Sequence, residues 1–163
     1  VAGLPLCESP ILPEWIDYNG HLRDAYYGLL FSQATDVLMD RVGLDAAYRA
    51  RTGCTLYTLE MHIHYLHEVK KTDTAAVSVR ILGADHKRIH AAFELERAGH
   101  AQVAATAEVM ALHVQQKDGG VHSASFPPEV AQALAQLQAQ SGALAAVGPG
   151  SRRMELRPPR RSV

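Results

Sequence analysis

The sequence predicts an α+β domain in which one antiparallel sheet wraps a long apolar helix. Three observations carry that prediction. From Asp24 to Val42 apolar residues recur at helical spacing, and from Tyr57 onward the period drops to two over successive runs. The links at Gly83-Ala84-Asp85 and Ala98-Gly99-His100 are short, so the strands they join should run antiparallel. A sheet with one apolar face needs a cover, and one long helix supplies it.

The elements follow in order. Residues 1–14 hold Pro5, Pro10 and Pro13, so any strand there lies at an edge or is interrupted. Asp17-Tyr18-Asn19-Gly20 is a turn cluster with side-chain acceptors and a residue free to take positive φ. The helix after it carries Tyr27, Leu30, Phe31, Ala34 and Leu38 on one stripe, with Asp24 expected as its cap and Gly43 at its end. A short helical turn is expected over 45–50. Tyr57, Leu59, Met61, Ile63 and Tyr65 then alternate with Thr58, Glu60, His62 and His64, a long strand with one buried face. Two further runs, 74–81 and 88–96, repeat the alternation, and 103–114 gives a fourth, alanine-rich strand. Pro127-Pro128-Glu129 opens a last helix with Val130, Leu134 and Leu137 along one side. We read 1–140 as the folded domain and 141–163, rich in Gly, Pro and Arg, as a solvated tail.

Composition narrows the class of function. At 163 residues, 47% hydrophobic and 20% charged, the chain has the size and balance of one globular domain. The apolar run at the start of the helix, Ala25–Phe31, is far too short for a membrane helix, and no signal-peptide pattern opens the chain. A net charge of −1 argues against a nucleic-acid partner. Cys7 and Cys54 have no metal or redox spacing, which predicts a reducing, cytoplasmic setting. The chain opens on Val1, as expected of a piece trimmed or excised from something longer. The outer sheet face keeps apolar residues, so a homodimer or homotetramer is expected.

The densest chemistry lies in Trp15-Ile16-Asp17-Tyr18-Asn19-Gly20-His21, just ahead of the long helix. Helix N-termini offer unpaired N–H groups and a positive dipole end that can hold a developing oxyanion. A carboxylate beside them can act as nucleophile or general base. A capped turn would use the same residue types, so spacing alone leaves both readings open. Lys87 and Arg88 likewise fit either a charged hairpin edge or an anion site. His62, His64 and His67 lack a carboxylate between them, and we expect no metal and no cofactor.

Asp17-Tyr18-Asn19-Gly20-His21, followed by Ala25-Tyr26-Tyr27 and the helix, resembles the hotdog-fold acyl-CoA thioesterases of the 4-hydroxybenzoyl-CoA type. The resemblance spans roughly residues 6–115 and implies a hotdog fold, a sheet wrapped around a central helix. It implies that Asp17 is the catalytic carboxylate, that the backbone N–H near Asp24 is the oxyanion donor, and that His21 is mainly positional. Arg23-Asp24 stands where the family has Asn-Asn. The resemblance is strongest to the branch serving carnitine breakdown, which releases glycine betaine from its CoA thioester and also occurs fused to a dehydrogenase. The phrases Pro13–Tyr27 and Thr58–Leu66 carry that likeness.

On this reading the partner is an acyl-CoA substrate, and Lys87 and Arg88 meet its phosphates. Glu60 and His62, on one strand face, are candidates to line the acyl pocket, and Asn19 lies within the motif. Trp15, Tyr18, Tyr26 and Tyr27 crowd one segment of a chain only 6% aromatic, which predicts a pocket for a quaternary ammonium. A hotdog dehydratase or hydratase, or a non-catalytic acyl-CoA-binding module, would share the same fold. Asp36, on the helix, is a reserve catalyst.

Overall fold

The computed structural model describes residues 3–142. In chain order the elements are β1 (Leu4–Pro10), a 3-10 turn (Pro13–Trp15), α1 (Asp24–Arg41), α2 (Ala46–Thr52), β2 (Cys54–Tyr65), β3 (Thr74–Ala84), β4 (Arg88–Arg97), β5 (Val103–Lys117), β6 (Gly120–Ser123) and α3 (Pro128–Gly142). One antiparallel sheet runs β1-β3-β4-β5-β2, and β6 pairs with the end of β5 beyond β4. The proline-rich first strand is indeed an edge, with a register shift between Pro5 and Cys7. No helix among the described residues is long and apolar enough to cross a membrane.

Helix α1 buries Tyr27, Leu30, Phe31, Ala34, Leu38 and Met39. Each fully buried large side chain contributes about 1.5–3 kcal/mol. They meet Ala75, Val77, Val79 and Ile81 of β3 and Ala91, Phe93 and Leu95 of β4 within one core, where the Phe31 and Phe93 rings lie 6.2 Å apart. The alanines of β5 that blur its sequence pattern have a packing reason. Ala105, Ala107 and Ala111 project to the buried face of an interior strand, where small side chains let the sheet close around the helix. Ile63 of β2 comes close enough that a Cβ on Gly28 would meet its Cδ1 at 3.7 Å.

Three features depart from the sequence reading. In β2 the register shifts between Thr58 and Glu60, so Leu59 bulges out and the alternation changes phase. Tyr57 therefore shares the outer face with Glu60 and His62, whereas Met61 and Ile63 pack on the core. Asp118 and Gly119, at φ 54° and 73°, make the tight turn into the unexpected β6. Helix α3 runs to Gly142, past the expected boundary at 140, and Ser141 is buried. Its hydroxyl accepts Ile81 N–H at 3.3 Å just beyond the point where β1 stops pairing with β3. The arginine-rich tail lies outside the described residues.

His113, not singled out in the sequence, locks α2 to the sheet. It is 1% exposed, with Nδ1 donating to Ala124 O at 2.8 Å and Nε2 sharing a hydrogen bond with the Tyr48 hydroxyl at 3.0 Å. His113→Leu would leave the buried Tyr48 hydroxyl and the half-buried Ala124 carbonyl without this partner, an expected loss of about 1–3 kcal/mol. Urea unfolding checks it; an unchanged midpoint would mean the loop at Ala124 relaxes freely.

Candidate active site

The site grows from a narrow hairpin that feeds α1. Arg23 N–H donates to Trp15 O at 2.9 Å, and Asp17 N–H to His21 O at 2.9 Å, which closes the loop between them. Gly20 turns the chain at φ 83°, a conformation that strains other residues. At its base, Asp17 Oδ1 accepts Asn19 N–H at 2.8 Å and His21 N–H at 3.2 Å. Desolvation pushes the Asp17 carboxyl up, but those two N–H groups, with the charges of His21 and Arg23, outweigh it and hold its pKa below the ordinary value. The carboxylate is thus ionised at neutral pH.

The hairpin is sewn to the segment that follows β2. Leu22 N–H donates to Val69 O at 2.7 Å, His21 bridges Lys70, and His21 Nε2 meets Glu68 Oε2 at 3.0 Å. Between them and the amino end of α1 lies a cleft of about 540 Å³. One wall is Asp17, Tyr18, His21, Leu22, Arg23 and Asp24; the other is Tyr27 with Tyr65, Leu66, His67 and Glu68. Asp24 begins the helix rather than capping it, and Arg23 supplies no side-chain cap. The Asp24 carboxylate instead accepts the N–H of Ala25 at 2.9 Å. An ionised carboxylate and a helix N-terminus thus face one open space.

The structure brings together Asp17, Tyr18, His21, Asp24 and Tyr27, with Asn19 alongside at the exposed hairpin tip. Trp15 and Tyr26 sit behind the cleft, not in its lining. Trp15 is 8% exposed and stacks on Tyr26 at 5.3 Å, because an indole beside the helix start completes the core. Glu60 and His62 project from the opposite, outer face of the sheet. They pair with each other at 2.7 Å, beside a second pair, His90 with Glu108, at 2.6 Å.

Lys87 and Arg88 lie at the far end of the sheet. Arg88 pairs with Leu112 of β5, seven residues from Ala105, which pairs with Tyr65 at the cleft; at strand rise that is roughly 23 Å. The Asp85 turn holds both residues. Its carboxyl accepts the N–H of Lys87 and of Arg88 and pairs with the Arg88 guanidinium at 2.7 Å, which keeps its pKa far below the usual carboxylate range. Lys87 Nζ reaches Ser123 Oγ at 3.3 Å. The sequence reading missed Tyr65 and Glu68 as cleft residues. Only the tertiary suture of the hairpin to residues 66–70 puts them there.

The profile of the thioesterase-like superfamily matches residues 11–134. The chain belongs to this family. It is 48% identical over 132 residues to the betainyl-CoA thioesterase of Pseudomonas aeruginosa, covering 81% of this chain and 80% of that protein. It is also 37% identical over 152 residues to the L-carnitine dehydrogenase/betainyl-CoA thioesterase of Rhizobium meliloti, covering 89% of this chain but 30% of that longer protein. The crystal structure of a protein from Pseudomonas putida KT2440, described as a putative thioesterase, superposes with a TM-score of 0.83 at 42% identity, covering 96% of this chain and 98% of that one. A Staphylococcus aureus protein solved in complex with CoA superposes at 0.84 with 26% identity, covering 95% and 97%. The family match and the relative that shares 48% identity establish thioester hydrolysis, and the superpositions agree with the hotdog fold.

Proposed function

We propose that this chain hydrolyses betainyl-CoA to glycine betaine and CoA, and that it does so as a homodimer. The observation that carries the substrate is the 48% identity, over four-fifths of both chains, to a protein bearing that activity. Asp17 attacks the thioester carbonyl or draws a proton from the attacking water; in either route its carboxylate must be ionised. The amino end of α1 holds the oxyanion of the tetrahedral intermediate, which collapses with departure of the CoA thiolate; in the nucleophilic route water then cleaves the resulting anhydride, freeing glycine betaine and the Asp17 carboxylate. Free cysteines at 7 and 54 fit a reducing, cytoplasmic setting.

What supports the dimer is β2. It ends the sheet order, so among the described residues one side of its 12-residue length has no strand partner. Exposed Tyr57, Leu59 and Tyr65 line it. Such an edge is a template for another strand. Antiparallel pairing with a second copy about a two-fold axis brings the other subunit's Tyr57 end to this subunit's Tyr65 end. Lys87 and Arg88 would then serve the cleft of the neighbouring subunit.

The test is free-thiol release from a panel of acyl-CoAs. Betainyl-CoA should head the panel in kcat/KM; release from other acyl-CoAs but not from it would overturn the substrate. The lowered Asp17 pKa also fixes the pH profile. Activity needs the deprotonated form, so it persists as pH falls and is lost only on crossing that lowered pKa. The acid limb of kcat/KM should lie below the ordinary aspartate range, and a limb near neutrality would assign the base to another group.

A further inference from the structure

We propose that Glu68, with the aromatic corner of Tyr27 and Tyr65, is the specificity-determining element that reads the cationic acyl group. The inference rests on betainyl-CoA as the substrate. A trimethylammonium has no N–H to donate, so charge and aromatic faces are what can recognise it. One methylene separates its nitrogen from the thioester carbonyl. Its counter-charge must therefore stand beside the reacting carbon.

Three carboxylates face the cleft: Asp17, Asp24 and Glu68. Two are already committed to backbone. Asp17 accepts two N–H groups of its own turn, and Asp24 accepts that of Ala25. The described partner of Glu68 is a side chain, His21 at 3.0 Å. Its backbone is fixed nonetheless, because neighbouring Val69 is fully buried and its carbonyl accepts Leu22 N–H at 2.7 Å. Glu68 is thus an anchored carboxylate with capacity to spare, and His21 becomes the residue that orients it.

Tyr27 and Tyr65 complete the site. Their ring centroids lie 5.2 Å apart at an interplanar angle of 86°, a right-angled corner on the same wall of the cleft as Glu68. Tyr65 is the last residue of β2, three positions before Glu68, and its hydroxyl donates to Asp24 O at 3.4 Å, which ties the corner to the helix start. Arg23 and His67 share the cleft, so its lining is not uniformly negative. The cation must be met locally, at this corner.

The experiment compares kcat/KM for betainyl-CoA and for 3,3-dimethylbutyryl-CoA, which has the same shape without the charge, on wild type, Glu68→Gln and Tyr65→Leu. Glu68 is 63% exposed, so solvent screens it and a moderate effect is expected. Glu68→Gln should lose about three- to fivefold on betainyl-CoA and stay within about twofold on the neutral thioester. Tyr65→Leu should narrow the same preference. Equal losses on both esters for Glu68→Gln would assign Glu68 to holding the hairpin through His21, and a retained preference would remove it from recognition. Either result overturns the inference while leaving the substrate in place. A wild type that does not prefer the charged ester overturns the substrate reading itself.

Discussion

Replacing Asp17 with Asn is expected to leave the fold intact and remove nearly all hydrolysis, by a factor of roughly 10²–10⁴ in kcat. Asn is close to Asp in size, and its carbonyl oxygen can still accept the N–H groups of Asn19 and His21 that hold the turn. What it loses is negative charge. An amide neither attacks a thioester nor accepts a proton from water at neutral pH. Thermal unfolding near the wild-type midpoint, together with lost thiol release, separates chemistry from structure. Wild-type turnover would make Asp17 a turn residue, and the search for a carboxylate would then move to Glu68. Asp36 is the weaker reserve, because it is exposed twelve residues along α1 from the cleft-lining Asp24, about 18 Å at helical rise.

What was legible in the sequence was what is local. The α1 stripe, the alternating strands and the Asp17–His21 hairpin each depend on spacing within one segment, and each formed where its pattern stands. The phase of β2 was not legible beyond Leu59. A bulge adds one residue, and a period-two reading carried through it assigns Tyr57 to the wrong face. The Asp118-Gly119 turn carried a recognised hairpin signal, and β6 was there to be read. The aromatic cluster was misleading for a different reason. Trp15 and Tyr26 are neighbours of the site in sequence, yet the core claims both, and the ring that reaches the cleft beside Tyr27 comes from the end of β2. Glu68 had no local signal at all. Its contact with His21 exists only because Leu22 and Val69 are sewn together across the fold.

The separation of Lys87 and Arg88 from Asp17 within one chain leads to the second large effect. Lys87→Ala/Arg88→Ala dimers should show a raised KM for acyl-CoA, and Asp17→Asn dimers should be nearly inactive. If the basic pair serves its own subunit's cleft, a hybrid of the two contains no intact site. One subunit lacks the carboxylate and the other lacks its phosphate contacts. If the pair serves the opposite cleft, the hybrid is different. The subunit that keeps Asp17 receives Lys87 and Arg88 from the Asp17→Asn subunit, and one complete site is rebuilt. Mixing the two variants under conditions that exchange subunits should therefore restore, at low substrate, about half the wild-type kcat/KM per hybrid dimer, far above either parent. High salt should weaken the restored activity, because exposed phosphate contacts are screened over a Debye length of about 8 Å at physiological ionic strength and less above it. Activity that never exceeds the average of the parents would return the basic pair to the edge-protecting role its Asp85 turn could also serve. A mixture that exchanges no subunits because the chain is a monomer would remove the shared site along with it.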